Sequence, residues 1–363
     1  MDKKEKQPFS VKSFFAAVWG IIKRFVAAPM FKTIVRRFLI LIPQLIALSL
    51  LIFILASIMP GDALRGIITP DMPQALIDQL RLQHGLDDSW YVQYWNWISG
   101  IILEGDFGRS IANNSIPVID IIGDRIHNTV RLSLLTTFFT YLLAIPLGLL
   151  AGRKNGKPVD KVIMIYTFIA LSMPTVVLSV VHLLLYGFGV TFEVFGSVIN
   201  TGIFPITGSI DPRAAGVGGL TAIMSRLHHL FLPAITLALI STTGIIYFLR
   251  SEIVDYETSD FVLTARAKGV PEGKIYTGHI LRNAFLPVAG GMGTIIVTLF
   301  SGSIFIETVF SYPGMGQLFI SSITGRDFPV VNVLVMFFAI LSAVSMLISD
   351  IIISIIDPRI RIK

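Results

Sequence analysis

Residues 331–356 read VNVLVMFFAILSAVSMLISDIIISII, twenty-six residues in which Asp350, near one end, is the single charge. Coiled as a helix at about 1.5 Å per residue, this stretch is long enough to cross the roughly 30 Å hydrocarbon core of a bilayer. The seven residues that follow, 357–363, carry three Lys or Arg. A basic flank of this kind marks the cytoplasmic end of a membrane span. Working outward, five more stretches are as long and as apolar: 38–58, 130–151, 162–188, 229–249 and 284–306. The expectation is therefore an all-α polytopic membrane protein with six transmembrane helices.

The composition agrees. With 53% hydrophobic and 14% charged residues and a mean hydropathy of +0.76, the 363-residue chain falls outside the soluble globular range. The absence of cysteine excludes disulfides, thiolate metal sites and cysteine nucleophiles. Lys3, Lys4 and Lys6 are not followed by a short apolar core and a small-residue cleavage site, so the amino terminus is expected to be retained.

The Lys and Arg counts between the spans test the assignment independently. Residues 1–37 carry nine, the loop 59–129 four in 71 residues, 152–161 four in ten, 189–228 two, 250–283 five and 307–330 one. Cytoplasmic segments hold the positive excess, so the alternation places both termini in the cytoplasm and the protein in a plasma membrane. The net charge of +6 belongs to this topology, and no nucleic-acid partner is implied. The layout read from the sequence is a basic cytoplasmic segment 1–37, a first span 38–58, an extracytoplasmic loop 59–127, a five-helix core 128–356 containing a cytoplasmic loop 250–283, and a tail 357–363.

Val11, Phe14, Phe15, Val18, Ile22, Phe25 and Val26 recur at helical spacing opposite Lys12, Lys23 and Arg24. This predicts an amphipathic helix lying on the cytoplasmic membrane surface, against lipid, with a seventh span as the alternative. In the long outer loop, 73–84 suits a short helix closed by Gly85. Trp90, Tyr91, Tyr94, Trp95 and Trp97 form an aromatic cluster that either anchors at the interface or docks a partner. Pro43, Pro146 and Pro174, and the group Gly290, Gly291 and Gly293, fit either close helix packing or a bend beside a pathway. The Gly-rich 214–220 reads as a flexible insertion.

Little chemistry is built in. The nearest approach to a phosphate loop, Gly152-Arg153-Lys154-Asn155-Gly156-Lys157-Pro158, fails on spacing and lacks the Ser or Thr. Its basic residues read as membrane anchoring. An ion-coupled carrier needs carboxylates or histidines deep in its spans, where His182, Glu307 and Asp350 are the few candidates and His182 is the deepest. Adjacent His228 and His229 have the wrong spacing to share a metal. No serine stands in a nucleophile elbow with a base, so the chain is not read as an enzyme.

The informative segment is Ser259-Asp260-Phe261-Val262-Leu263-Thr264-Ala265-Arg266-Ala267-Lys268-Gly269-Val270-Pro271-Glu272. Ser259 can cap a helix, Gly269 can end it and Pro271 suits the start of another, giving two short helices joined by a tight turn. Small residues on such a knob let a partner approach closely, and Arg266 and Lys268 offer charge. Physics alone leaves an ordinary basic loop equally open.

Here the chain resembles the permease subunits of binding-protein-dependent ATP-binding-cassette importers, of the dipeptide and oligopeptide group. The resemblance is carried by Thr264-Ala265-Arg266-Ala267-Lys268-Gly269, His279-Ile280-Leu281-Arg282-Asn283-Ala284, Glu307-Thr308-Val309-Phe310-Ser311-Tyr312-Pro313-Gly314-Met315-Gly316 and Asp357-Pro358-Arg359. Where the wider family has Glu-Ala-Ala and then Leu-Pro, this chain has Leu263-Thr264-Ala265 and Leu281-Arg282, with Pro287 downstream, a departure that looks like the peptide subgroup's own. The resemblance implies a type I importer permease fold, a second homologous permease, two cytoplasmic ATPase subunits and an extracytoplasmic peptide-binding protein. It implies no cofactor on this chain, ATP and magnesium being held by the ATPases. Asp260, Thr264, Ala265, Arg266, Ala267, Lys268 and Gly269 would form the ATPase-coupling loop, Ala265 and Gly269 permitting close fit. Glu307, Pro313, Gly314 and Gly316 would lie at the outer mouth. Nickel chelates, glutathione or haem are the alternative cargoes, and an ion-coupled secondary carrier the alternative class.

Overall fold

A computed structural model describes residues 29–58, 64, 68, 71–83, 85, 87–112, 116–194 and 197–356. The amphipathic lead-in and the tail 357–363 lie outside the described residues. The helices are α1 (Pro29–Ile58), α2 (Gln74–Gln83), α3 (Trp90–Ser99), α4 (Val118–Arg153), α5 (Pro158–Ser172), α6 (Thr175–His182), α7 (Pro212–Val217), α8 (Gly219–Glu257), α9 (Asp260–Ala267), α10 (Leu281–Val309), α11 (Met315–Thr324) and α12 (Phe328–Ile356). The all-α expectation needs one addition, an antiparallel hairpin of β1 (Thr191–Val194) and β2 (Ser197–Asn200), with Thr191 opposite Asn200.

Phe38–Leu55, α4, α8 as far as Tyr256, and Phe328–Ser349 are long and apolar enough to span a membrane. A fifth candidate is α5 followed by α6 and its π-helical extension to Gly189, two pieces bent by 104°. The predicted fifth span, 284–306, falls within the 29-residue α10. Helices overrun their predicted limits because hydropathy detects the apolar middle, whereas the backbone bonds continue into the polar flanks: α4 starts at 118 and α8 at 219. That early start corrects the reading of 214–220 as a flexible insertion. Asp211 caps α7 by accepting from the Arg213 N–H at 2.8 Å, and Gly218 and Gly219, with φ of 72° and 55°, turn the chain directly into α8.

The prolines divide. Pro43 and Pro146 sit inside continuous helices, as do Pro233 and Pro287. Pro174 breaks its span, because the residue before a proline is pushed out of the helical region: Met173 is extended at ψ 124°. The glycines at 290, 291 and 293 lie within α10, where Ser349 of α12 donates to the Gly290 carbonyl.

The main packing seam joins α4 to α8. A Cβ at Gly148 would lie 2.9 Å from Leu249 Cβ, and one at Gly152 would lie 2.7 Å from Ile253 Cβ. Two glycines four residues apart therefore bring the backbones together by removing side chains, a standard solution where lipid supplies no hydrophobic drive between helices. One apolar cluster fills one end of the seam with Leu132, Leu230, Leu237, Ile306 and Phe310. Another fills the opposite end with Leu249, Ile253, Val262, Ile275 and Ile280. Between α1 and α4, α2 and Gly85, at φ 61°, match the short helix read from the sequence. The aromatic cluster splits: Tyr94 meets Phe53 of α1 edge-on and Trp97 meets it at a tilt, and Tyr94 shares a hydrogen bond with Ser49, while Trp90, Tyr91 and Trp95 are exposed.

Gly152→Val is expected to destabilise the protein by about 1–3 kcal/mol through overpacking, read as a lowered melting temperature in detergent. Gly244→Ala, whose Cβ would meet nothing within 4 Å, should leave melting unchanged.

Candidate functional site

The chain leaves α8 at Glu257 and forms a compact knob. Ser259 holds the expected N-cap position of α9, yet its hydroxyl donates back to the Tyr256 carbonyl at 2.5 Å instead of capping. Thr264 likewise donates to the Asp260 carbonyl at 2.8 Å. Gly269, at φ 73°, ends the helix as expected, with Val270 N–H donating to the Ala265 carbonyl at 3.1 Å. A helical turn, Glu272–Lys274, opens into a π-helical stretch, Ile275–Ile280, that runs into α10.

Val262 and Ala265 point inward against Ile275, Tyr276 and Ile280. Ala265, only 7% exposed, packs within its own chain. This corrects the expectation that it opens the knob to a partner. Arg266 is also engaged: its guanidinium donates to both oxygens of Glu272, at 2.8 and 3.4 Å, and lies 3.5 Å from Glu257. Glu257 in turn accepts from the Tyr276 hydroxyl at 2.7 Å, and the Arg153 guanidinium of α4 sits 5.4 Å above the Tyr276 ring. The outer surface is left to Asp260, Phe261, Leu263, Thr264, Ala267, Lys268 and Gly269. Leu263 is 53% and Phe261 37% exposed. Neither was singled out from the sequence, where apolar residues on both sides of an eight-residue helix give no usable stripe.

The apolar contacts hold the knob, and the exposed Arg266–Glu272 pair adds orientation more than stability. The Arg266 hydrogen bond keeps the Glu272 carboxyl below its usual range and raises the Arg266 value. The pair is therefore present at neutral pH and is lost only as acidification passes through that depressed value. Burial, and then the bond to Glu257, push the Tyr276 hydroxyl up to about 12, so it remains a donor.

At the far end of the seam, Glu307 is fully buried rather than facing an opening. One carboxylate oxygen accepts from Thr129 at 2.8 Å. The other accepts from the Gly316 and Gln317 N–H groups at 2.7 and 3.1 Å. These amides are in the first turn of α11, so a residue of α10 caps the next helix and complements its dipole. Gly314 and Gly316 are required by space: a Cβ at Gly314 would fall 2.3 Å from Glu307 Cδ, and one at Gly316 would fall 2.5 Å from Ile304 Cα. The Pro313 carbonyl accepts from Asn128 at 2.8 Å, and Thr129 accepts from the Met315 N–H at 2.8 Å. Thr129 and Asn128 were missed because their partners lie 178 and 185 residues away. The histidines have structural partners: His182 contacts Thr236 at 2.8 Å, and His228 and His229 contact the Ile203 and Ser225 carbonyls at 2.8 Å.

The knob and Glu307 with its glycines fall in a stretch, residues 144–362, that matches the family described as the binding-protein-dependent transport system inner membrane component, while residues 30–134, which include Asn128 and Thr129, match that system's N-terminal membrane component. The chain belongs to this family. It is the permease subunit of an ATP-binding-cassette importer, a multi-pass transport component whose ATP is hydrolysed by a separate subunit. Among its relatives, the permease is 36% identical over 328 residues to the oligopeptide transport system permease protein AppB of Bacillus subtilis, covering 90% of this chain and 98% of that one. It is 31% identical over 334 residues to the glutathione transport system permease protein GsiC of Escherichia coli K12, covering 92% and 100%. Its fold is shared with the inward-facing MetNI methionine transporter at a TM-score of 0.50 and 15% identity, over 66% of this chain and 97% of that one.

In the permease, Glu307→Ala leaves two amides and a hydroxyl without their acceptor, and each unsatisfied group costs about 1–3 kcal/mol. A large fall in melting temperature in detergent is expected, with Glu307→Gln intermediate and Gly314→Ala at least as damaging as Glu307→Ala.

Proposed function

We propose that this permease pairs with a second homologous permease to carry oligopeptides or dipeptides across a prokaryotic plasma membrane by alternating access. An extracytoplasmic binding protein delivers the peptide, and two cytoplasmic ATPase subunits, which hold ATP and magnesium, drive the cycle. Six spans place both termini in the cytoplasm, with the core over 128–356 and the coupling loop over 250–283. The similarity to AppB, higher than that to GsiC, supports peptides over glutathione as cargo.

The observation that carries the coupling reading is the knob. A helix braced on its inner side by Val262, Ala265 and the Arg266–Glu257–Tyr276 network presents Phe261 and Leu263 outward. A rigid body with exposed apolar side chains is suited to receive a push from a partner's groove. Asp260, Thr264, Ala267, Lys268 and Gly269 surround the contact, and Ala265 and Arg266 hold its shape. The space around Gly269 is open, so a large side chain there meets the partner and not its own chain, although its positive φ adds backbone strain. The loop Ser311–Gly316, with Glu307 capping the helix behind it, is read as part of the outer mouth.

Leu263→Glu, with Gly269→Trp as the steric counterpart, should reduce uptake of a labelled oligopeptide by about ten-fold or more, since burying a leucine is worth roughly 1.5–3 kcal/mol. The subunit should remain inserted and stable. Normal uptake by both variants in an assembled complex rejects the docking surface, and competition by unlabelled oligopeptide against glutathione identifies the cargo.

A further inference from the structure

The turn after α4 contains a charged joint that the transport reading leaves unused. Arg250, near the end of α8, donates to both oxygens of Asp160 in the first turn of α5, through Nε at 2.6 Å and an Nη at 2.8 Å. The same Nη donates to the Asn155 side-chain amide oxygen at 2.8 Å, and Asp160 also accepts from the Gly156 N–H at 2.8 Å. Asp160 is only 2% exposed. With Asp160 buried and Arg250 partly exposed, such a pair is a poor way to gain stability, because desolvating the carboxylate offsets much of the attraction, and apolar replacements are often as stable. What a two-toothed guanidinium–carboxylate contact supplies is a fixed distance and angle.

The position of the joint gives that geometry a use. Arg250 lies on the same unbroken helix as Glu257, beyond which the chain enters the knob. The helix at the other side of the joint, α5, is held to the rest of the chain by a narrow stripe of Asp160, Ile163, Thr167 and Ala170, while Val162, Ile165, Phe168 and Ile169 are exposed. Three further polar contacts tie the same broken span to α8: the Tyr166 hydroxyl donates to the Leu239 carbonyl at 2.8 Å and lies 2.8 Å from the Thr242 hydroxyl, and His182 contacts Thr236. The Asp160–Arg250 contact is the ionic one of the four and the nearest to the knob.

We propose that Asp160 and Arg250, assisted by Asn155, are positioning residues that lock α5 to α8, so that a displacement of the knob moves the broken span and α8 as one body. The proposal rests on the knob being where the ATPase pushes. The test uses the complete importer in proteoliposomes with its binding protein and a labelled oligopeptide mixture, measuring ATP hydrolysed per peptide imported. That ratio is insensitive to a loss of folded complexes, which lowers both quantities together.

Arg250→Lys keeps the charge and removes the fork, and it should raise the ratio about ten-fold, in the range of coupling between contacting residues. The double variant Asp160→Leu with Arg250→Met replaces the pair by apolar groups; it should melt like the unaltered complex and remain uncoupled. A normal ratio in Arg250→Lys, or in a stable double variant, overturns the proposal. Leu263→Glu separates the two readings. If it uncouples and Arg250→Lys does not, the joint alone is rejected; if it leaves coupling normal, the docking surface is rejected, and with it the role assigned to the joint.

Discussion

Helices dissolved in lipid gain little by burying one apolar side chain against another, since the hydrocarbon around them is equally apolar. Association then depends on how closely backbones approach. In this permease the approach is set where Gly148 and Gly152 of α4 meet Leu249 and Ile253 of α8, with Ala144 buried one turn back. The two longest helices, of 36 and 39 residues, become one rigid pair. The knob, the broken span and the junction at Glu307 all take their positions from that pair.

The polar groups then join elements that packing alone would let slide. Glu307 on α10 accepts from the first-turn amides of α11 and from Thr129 on α4, which fastens three helices at a single carboxylate. Asp327, just before α12, accepts from the Ile111 amide at 3.0 Å and from the Ser110 hydroxyl, and so ties the segment between α3 and α4 to the last helix. Asp160 holds α5 to α8 in the same manner. Each is a buried acceptor surrounded by donors, the condition under which a carboxylate can remain inside a protein at acceptable cost.

The knob depends on the same economy of contacts. Its inner residues belong to the apolar cluster that also contains Leu249 and Ile253, so the surface bearing Leu263 is continuous with the end of the α4–α8 seam. A force applied there meets packed side chains and charged bonds rather than a hanging loop. The Arg153 guanidinium over Tyr276 brings α4 into the same body.

Much of this was legible in the residues taken in order. Runs such as 331–356 require a bilayer because no soluble core accommodates them, and the helical nature of the spans follows because backbone groups in lipid must be satisfied locally. Ser259, Gly269 and Pro271 marked the limits of the knob through local backbone preferences, and Gly85 closed α2 as read. What the order of residues left open was set by partners distant along the chain. Pro174 breaks a helix whereas Pro146 does not, Ala265 faces inward, and Gly314 is glycine because Glu307 fills the space a side chain needs. In the sequence Glu307 stood only as a carrier candidate and a motif residue, and Asp160 and Asp327 drew no reading at all. Only folding brings each to its donors, because a hydrogen bond spanning 90 to more than 200 residues leaves no periodic trace in the sequence.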